Sequence, residues 1–416
     1  MNYGMASNEA KIKYNLTLNF MKKIWQKNST QSVNSLIEDY TVWIDYLIDM
    51  QLISYDIIWS KAHVKMLNKI WVLTDSEKDS LLQWLDEIWE LVKKWDFTIL
   101  KSEEDCHTAI ESYLTKKYPS IWTKVHTWRS RNDQILVTTR LFTMDKVSKI
   151  IESIETLINS FENKIKEIWE IKMPGYTHMQ KAMPSSVWMW LWSIHDSIQD
   201  DLLLVKTALE INNQNPLWSV AWFWENVFWL DKEFTAKELW FKKVQSNPMY
   251  ASYSRWKFEN IILQSLSQVM MDLWKFASDM VLFWTKEFDY FTLPNEFKTG
   301  SSVMPQKKNL DVMELVRWNS NLFQGYEYQV KEIFKNLMSW YNRDFQLTKE
   351  PYLKWIKLAL DTIDICNLVV NNLWVNKSKL ELACSEELYA TEEAYKLVKA
   401  WASFRDAYKI VWEKYL

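Results

Sequence analysis

From about residue 130 to 365, apolar side chains recur every three or four positions in long unbroken runs. Between Ser254 and Phe288, the residues Phe258, Ile262, Leu266, Val269 and Leu273 stand four, four, three and four apart, which places them on one face of a helix. Residues 132–168, 184–213 and 310–338 follow the same period. Runs of this length, without strand-like alternation, predict an elongated bundle of long helices. Upstream, 25–115 breaks into short amphipathic segments such as 55–67 and 74–88. The second of these opens on Thr74 or Asp75 as an N-cap, with acidic residues in its first turn. Residues 1–24 are polar and predict a loose extension. Residues 366–416 read as shorter helices. The expected fold is all-α: a central bundle over 116–365, flanked by smaller helical domains at 25–115 and 366–416. No internal repeat or low-complexity tract interrupts it.

Composition changes this picture at one point. The chain of 416 residues holds 27 tryptophans and 4 glycines, whereas glycine alone ordinarily makes up about 7% of a protein. Tryptophans also stand where glycine is physically required. Trp71 falls between a helical segment and VLTDSEKD, at a C-cap position. Trp218, Trp222 and Trp224 lie in the turn-like NPLWSVAWFW, and Trp340 precedes YNRD in a loop. The expectation is that most of these tryptophans stand for glycine, from a gene whose UGA codon means glycine. Trp25 in KIWQK and Trp190 in VWMWLWS look genuine.

Charge and cysteine content narrow the function classes. The net charge of −3 gives no reason to expect nucleic acid or an anionic membrane as partner. Cys106, Cys366 and Cys384 are far apart and form no CxxC, which fits a reduced, cytoplasmic protein. The N-terminus lacks the apolar core of a signal peptide. The longest uncharged apolar-leaning run, Ala182–Ile194, is too short to span a bilayer. The histidines at 63, 107, 126, 178 and 195 include no i,i+4 pair, and no glycine-rich nucleotide loop is present, so neither a metal nor a nucleotide motif is visible.

Three polar stretches could carry chemistry. The first is TGSSVMPQKKNLD, 299–311, directly before a long helical run. Free backbone N–H groups in a Gly-Ser turn at a helix start favour an anion, and Lys307, Lys308 and Asn309 add donors. A solvated loop with an N-cap is the plain alternative. The second is VHTWRSRNDQ, 125–134, where Arg129 and Arg131 flank Ser130 and Asn132 follows. Such a donor cluster suits carboxylates, although a polar helix N-terminus would look the same. The third is MPGYTHMQKAMPSS, 173–186, with His178 between Thr177 and Gln180 in a Pro-Gly turn before a helix. A lone histidine is more often structural than catalytic.

Taken together, and in their order along the chain (125–134, 173–186, then 299–311), these strings resemble the signatures of the fumarase/aspartase superfamily. QKKN and HTWRSRNDQ, with glycine at 128, point to its argininosuccinate lyase branch. The resemblance runs from about Trp25 to the C-terminus. It implies β-elimination of argininosuccinate to arginine and fumarate, without metal or redox cofactor, in a homotetramer whose active sites each draw on three subunits. By resemblance, Ser301 is the general base that takes the Cβ proton. Lys307 and Asn309 stabilise the aci-carboxylate, and Thr177 and His178 meet the substrate, with His178 oriented by Glu314. By chemistry alone His178 with Glu314 is the obvious base, since imidazole titrates near neutrality.

Further matches extend the site. Ser130, Arg131 and Asn132 lie in the second string. Tyr341, Gln346 and Lys349 lie in LMSWYNRDFQLTKEP, and Ser60 in DIIWSKAH with glycine at 59. Arg255 in YSRWKFE and Asp45 in TVWID are shorter matches. Leu310 departs from the proline usual after KKN, and the region before Arg255 is unlike the commoner members. Read literally, Trp128, Trp222, Trp224 and Trp256 crowd the binding loops, and over-packing costs about 1–3 kcal/mol even for added methylenes. The alternatives are a sister fumarate-releasing lyase, such as one acting on adenylosuccinate, or a non-catalytic relative that keeps the fold.

Overall fold

The computed structural model describes residues 44–127, 129–217 and 230–415. The expected extension at 1–24, and Trp25, Trp128, Trp218, Trp222 and Trp224, lie outside them. In chain order the principal helices are α1 (Ile53–Lys69), α2 (Asp75–Lys93), α3 (Cys106–Lys117), α4 (Pro119–Val125), α5 (Arg131–Ile168), α6 (Val187–Asn212) and α7 (Lys232–Glu238), then α8 (Arg255–Phe283), α9 (Asp311–Ile333), α10 (Lys349–Asn371), α11 (Lys377–Ala383), α12 (Ala390–Lys399) and α13 (Phe404–Glu413). Strands are few and short, and the fold is all-α. Close contacts divide the chain into two units. The first holds the described residues up to Phe142 with those of 213–253 and 338–341, and the second holds the rest.

In the first unit α1 packs on α2. Ile53, Ile57, Val64 and Leu67 of α1 are buried, as are Leu81, Leu85 and Ile88 of α2. Each large aliphatic side chain so buried stabilises the fold by about 1.5–3 kcal/mol. The start of α2 is capped by Thr74: its Oγ1 accepts from the Glu77 N–H, and the Glu77 carboxylate accepts from the Thr74 N–H. Arg140, near the end of this unit's share of α5, donates to the Gln214 carbonyl at 2.8 Å and to Gln245 Oε1 at 2.9 Å, tying down the short parallel pair Gln214–Asn215 with Lys243–Val244.

In the second unit α8 is the central element, packed against α6, α9 and α10. Phe258, Ile262, Leu266, Val269 and Leu273 are all buried, so the spaced apolar stripe is the face that makes the core. Phe276, Ala277 and Met280 extend it. A small satellite core of Ala394, Ala407 and Val411 joins α12 to α13.

The third polar stretch differs from expectation. It is a β-hairpin, Lys172–Thr177 (β1) against Gln180–Ser186 (β2), and not a Pro-Gly turn leading into a helix. Pro174 and Gly175 sit inside β1, with an irregularity in register at Gly175/Tyr176. Glycine eases a close approach there: a Cβ would lie 3.1 Å from the Met183 carbonyl oxygen. The turn itself is His178–Met179, and α6 begins only at Val187.

Four helices end alike. After α1, α2, α7 and α12, the N–H of Trp71, Trp95, Trp240 or Trp401 bonds three residues back at 3.0–3.2 Å, and the next N–H bonds five residues back at 2.9–3.1 Å. This is the Schellman arrangement, with tryptophan in the left-handed position that glycine usually fills. Their φ angles are 65°, 62°, 60° and 74°. A side chain in this conformation costs about 1–2 kcal/mol per residue.

Candidate active site

In the second unit, Thr299–Gly300 pairs antiparallel with Lys308–Asn309, so 301–307 becomes a loop pinned at its base just before α9. Ser301 opens this loop. Its Oγ accepts from the backbone N–H of Val303 at 3.3 Å and of Met304 at 3.1 Å. Two donors on one hydroxyl oxygen favour any negative charge it takes on. Lys307 and Lys308 are exposed and make no ion pair among the described residues. The Thr299 hydroxyl bonds the Asp311 carboxylate and ties the hairpin to the first turn of α9.

A cavity of about 560 Å³ opens beside this loop, lined among others by Lys298, Lys307, Asn309 and Glu314. Three of the five expected catalytic residues therefore share one wall. Lys298 is an addition that pattern reading missed, although it directly precedes TGSS. Burial, then repulsion from Lys308, lowers its pKa. Its ammonium lies 5.2 Å from the centre of the Trp284 ring. Charge of this density in a partly enclosed space suits an anion.

His178 lies at the exposed tip of the β1–β2 hairpin, next to Thr177. Both turn residues are left-handed, His178 at φ 52° and Met179 at φ 62°. Such a two-residue turn normally takes Asn-Gly or Gly-Gly, and strain of this kind clusters at functional sites. Within the chain His178 and Glu314 form neither a hydrogen bond nor an ion pair; the Glu314 carboxylate lies 3.9 Å from Arg317 instead.

The remaining candidates in this unit lie near helix starts. Arg255 is the first residue of α8; it is 4% exposed, and its Nε has no hydrogen-bond partner. Lys349, also buried, begins α10. Gln346 accepts from Arg343 Nε at 3.1 Å in the 3-10 turn just before it.

In the first unit Ser130 caps α5: the Asn132 N–H donates to its Oγ at 3.2 Å, and the Gln134 N–H to its carbonyl at 3.1 Å. Arg131 donates to Glu104 at 3.1 Å and also bonds the Thr108 hydroxyl. Arg129 is buried, 5.5 Å from the Trp59 ring centre and 5.3 Å from that of Trp122. Burial lowers its pKa against the pull of Glu111. Nearby, burial and the Arg129 charge hold His63 down to about 3, so it stays neutral and bonds the Val125 carbonyl at 3.0 Å. Ser60 is buried on α1, its Oγ without a hydrogen bond, next to the buried Trp59. Asp45 is buried at the start of the one-turn helix Asp45–Ile48, and Tyr341 is partly exposed at the end of 338–341.

Among the described residues one group could offer metal ligands: Asp56, Cys106 and His107, all buried and within 4.8 Å of one another. Two of its members are already bonded to each other. His107 Nδ1 bonds Asp56 at 2.8 Å, and Asp56 also receives the Trp59 indole N–H. Burial disfavours the imidazolium, but Asp56, Asp105 and Asp49 outweigh it and raise the His107 pKa. His107 and Asp56 form a buried hydrogen-bonded pair. No helix of the described residues is long and apolar enough to cross a membrane.

Comparison with known proteins adds an independent line. A family described as Lyase matches residues 24–325. Argininosuccinate lyase from Thermotoga neapolitana is 40% identical over 95% of this chain and 98% of its own length. That from Phocaeicola vulgatus is 35% identical over 94% and 87%. Among solved structures, a variant of EDDS lyase with bound fumarate superposes with a TM-score of 0.78 at 22% identity, covering 87% of this chain and 71% of that one. A class II fumarase from Schistosoma mansoni does so at 0.71 and 16%, covering 86% of each. At such identities the structures speak for the fold alone.

Proposed function

The chain belongs to the argininosuccinate lyase family, and from that premise we propose how its own residues carry the reaction. The activity is a carbon–nitrogen lyase reaction, β-elimination of argininosuccinate to arginine and fumarate. A base removes a proton from the succinyl Cβ. The electrons pass through the adjacent carboxylate as an aci-carboxylate, and the bond from Cα to the guanidino nitrogen then breaks. The leaving group takes a proton and departs as arginine.

Ser301 is the base in this proposal. The observation that carries it is the pair of backbone N–H groups on its Oγ, which would hold an alkoxide where a free serine could not. Lys307 and Asn309, on the cavity wall next to that loop, take the charge that builds on the carboxylate. Lys298 adds to the same field. His178 with Thr177 contacts substrate at the exposed hairpin tip and serves the leaving group. Ser60, Ser130, Arg131, Asn132, Arg255, Tyr341, Gln346, Lys349 and Asp45 are the proposed binding set.

The working form is proposed to be a cytoplasmic homotetramer with active sites shared between copies. Support comes from apolar residues left exposed on the long helices: Leu315, Trp318 and Leu322 on α9, and Leu203 and Leu204 on α6. That His178 and Glu314 do not pair within one chain agrees with a partner copy bringing them together. The test is fumarate release, followed by its ultraviolet absorbance, from argininosuccinate and from adenylosuccinate in parallel. Release from argininosuccinate alone is expected. Release from adenylosuccinate alone would move the chain to the sister activity, and release from neither to a non-catalytic role.

A further inference from the structure

The described tryptophans include two sharply different groups. Trp71, Trp95, Trp240 and Trp401 occupy the left-handed position of four Schellman helix ends, and they are 93%, 85%, 69% and 98% exposed. Nine non-glycine residues have positive φ among those described, and these tryptophans are four of them. The described glycines, Gly175, Gly300 and Gly325, include none at positive φ. Any side chain is strained in this conformation, because its Cβ meets the neighbouring carbonyl, and these four indoles are largely exposed instead of packed. Trp190 behaves in the opposite way. Its indole N–H donates to Asp279 at 3.0 Å, and its ring stacks on Phe291 at 4.9 Å and on Phe276 at 5.8 Å. A tryptophan chosen by selection fills space and satisfies its N–H in this manner.

We propose that residues 71, 95, 240 and 401 are glycine in the protein as its own cells make it, inserted at UGA codons that those cells translate as glycine, while residue 190 is tryptophan. The left-handed backbone thus sets these four positions apart from the packed residue 190, which the overall tryptophan excess could not do. The sorting needs no assumption about activity, so it stands or falls separately from the lyase reading.

The test is peptide mass analysis of the protein isolated from its own cells. Tryptic peptides Ile70–Lys78, Trp95–Lys101, Glu238–Lys242 and Ala400–Arg405 each isolate one of the four positions, and fragmentation of Ala182–Lys206 reads position 190. Glycine in the four and tryptophan at 190 is the expected result. Tryptophan in the four overturns the proposal, and glycine at 190 overturns the geometric sorting. A second measurement compares the literal chain with the variant W71G/W95G/W240G/W401G, both made in an ordinary expression host. The variant should melt roughly 5–9 °C higher. An equal or lower melting temperature would contradict the assignment of these positions to glycine.

Discussion

The signature loop of the second unit and the donor cluster of the first are both rich in cations and hydroxyls, yet they stand in opposite states. Lys307 and Lys308 are exposed and make no ion pair among the described residues, and the Ser301 hydroxyl accepts from two N–H groups. Arg131, by contrast, is engaged with Glu104 and Thr108, and Arg129 is sealed between Trp59 and Trp122. The proposed base and its lysines face solvent, whereas the proposed binding residue Arg131 already has partners within the chain. A charged side chain is informative about function only together with what already satisfies it.

The largest effect should come from the open region. Ser301→Ala should lower kcat by about 10²–10⁴-fold with little change in KM, the range expected for a general base. Unchanged fumarate production would pass the role to His178. In the closed region Arg131→Ala should act mainly on KM, raising it roughly 10–100-fold, the value of a hydrogen bond to a charged group. A fall in kcat equal to that of Ser301→Ala would erase the distinction between the regions. The smallest effect concerns stability alone. Burial, with the neighbouring Asp272 and Asp200, raises Asp201 from 3.8 to about 8. Between those values the folded chain holds a proton that the unfolded chain has lost, so stability should decline as pH rises across the window. Asp201→Asn should flatten that decline in urea titrations at pH 5 and pH 8, and an unchanged slope would place the proton elsewhere.

The long helices were legible in the sequence because their apolar stripe is long and regular: the residues from Phe258 to Leu273 spaced by pattern are the ones buried. Thr74 was legible too, since a capping box has a local code. The β1–β2 hairpin was not. Its turn residues, His178 and Met179, lack turn chemistry, and the Pro174-Gly175 pair that suggested a turn serves close strand approach instead. Lys298 escaped notice because it joins the cavity wall by folding and belongs to no motif. The helix ends at Trp95, Trp240 and Trp401 were hidden by the identity of the residue, although Trp71 was visible from its flanking pattern.

In the proposed homotetramer the open loop of one copy works with the binding groups of another. Mixing tests it directly. Ser301→Ala and Arg131→Ala chains are combined, dissociated and reassembled, and fumarate release is measured at argininosuccinate well below the wild-type KM, where each variant is impaired alone. Random assortment in a symmetric tetramer should leave roughly a quarter of the sites with both residues intact and restore that share of wild-type activity. Activity no greater than the average of the two separate variants would mean that each chain supplies both groups to its own site, and the shared-site account would fail.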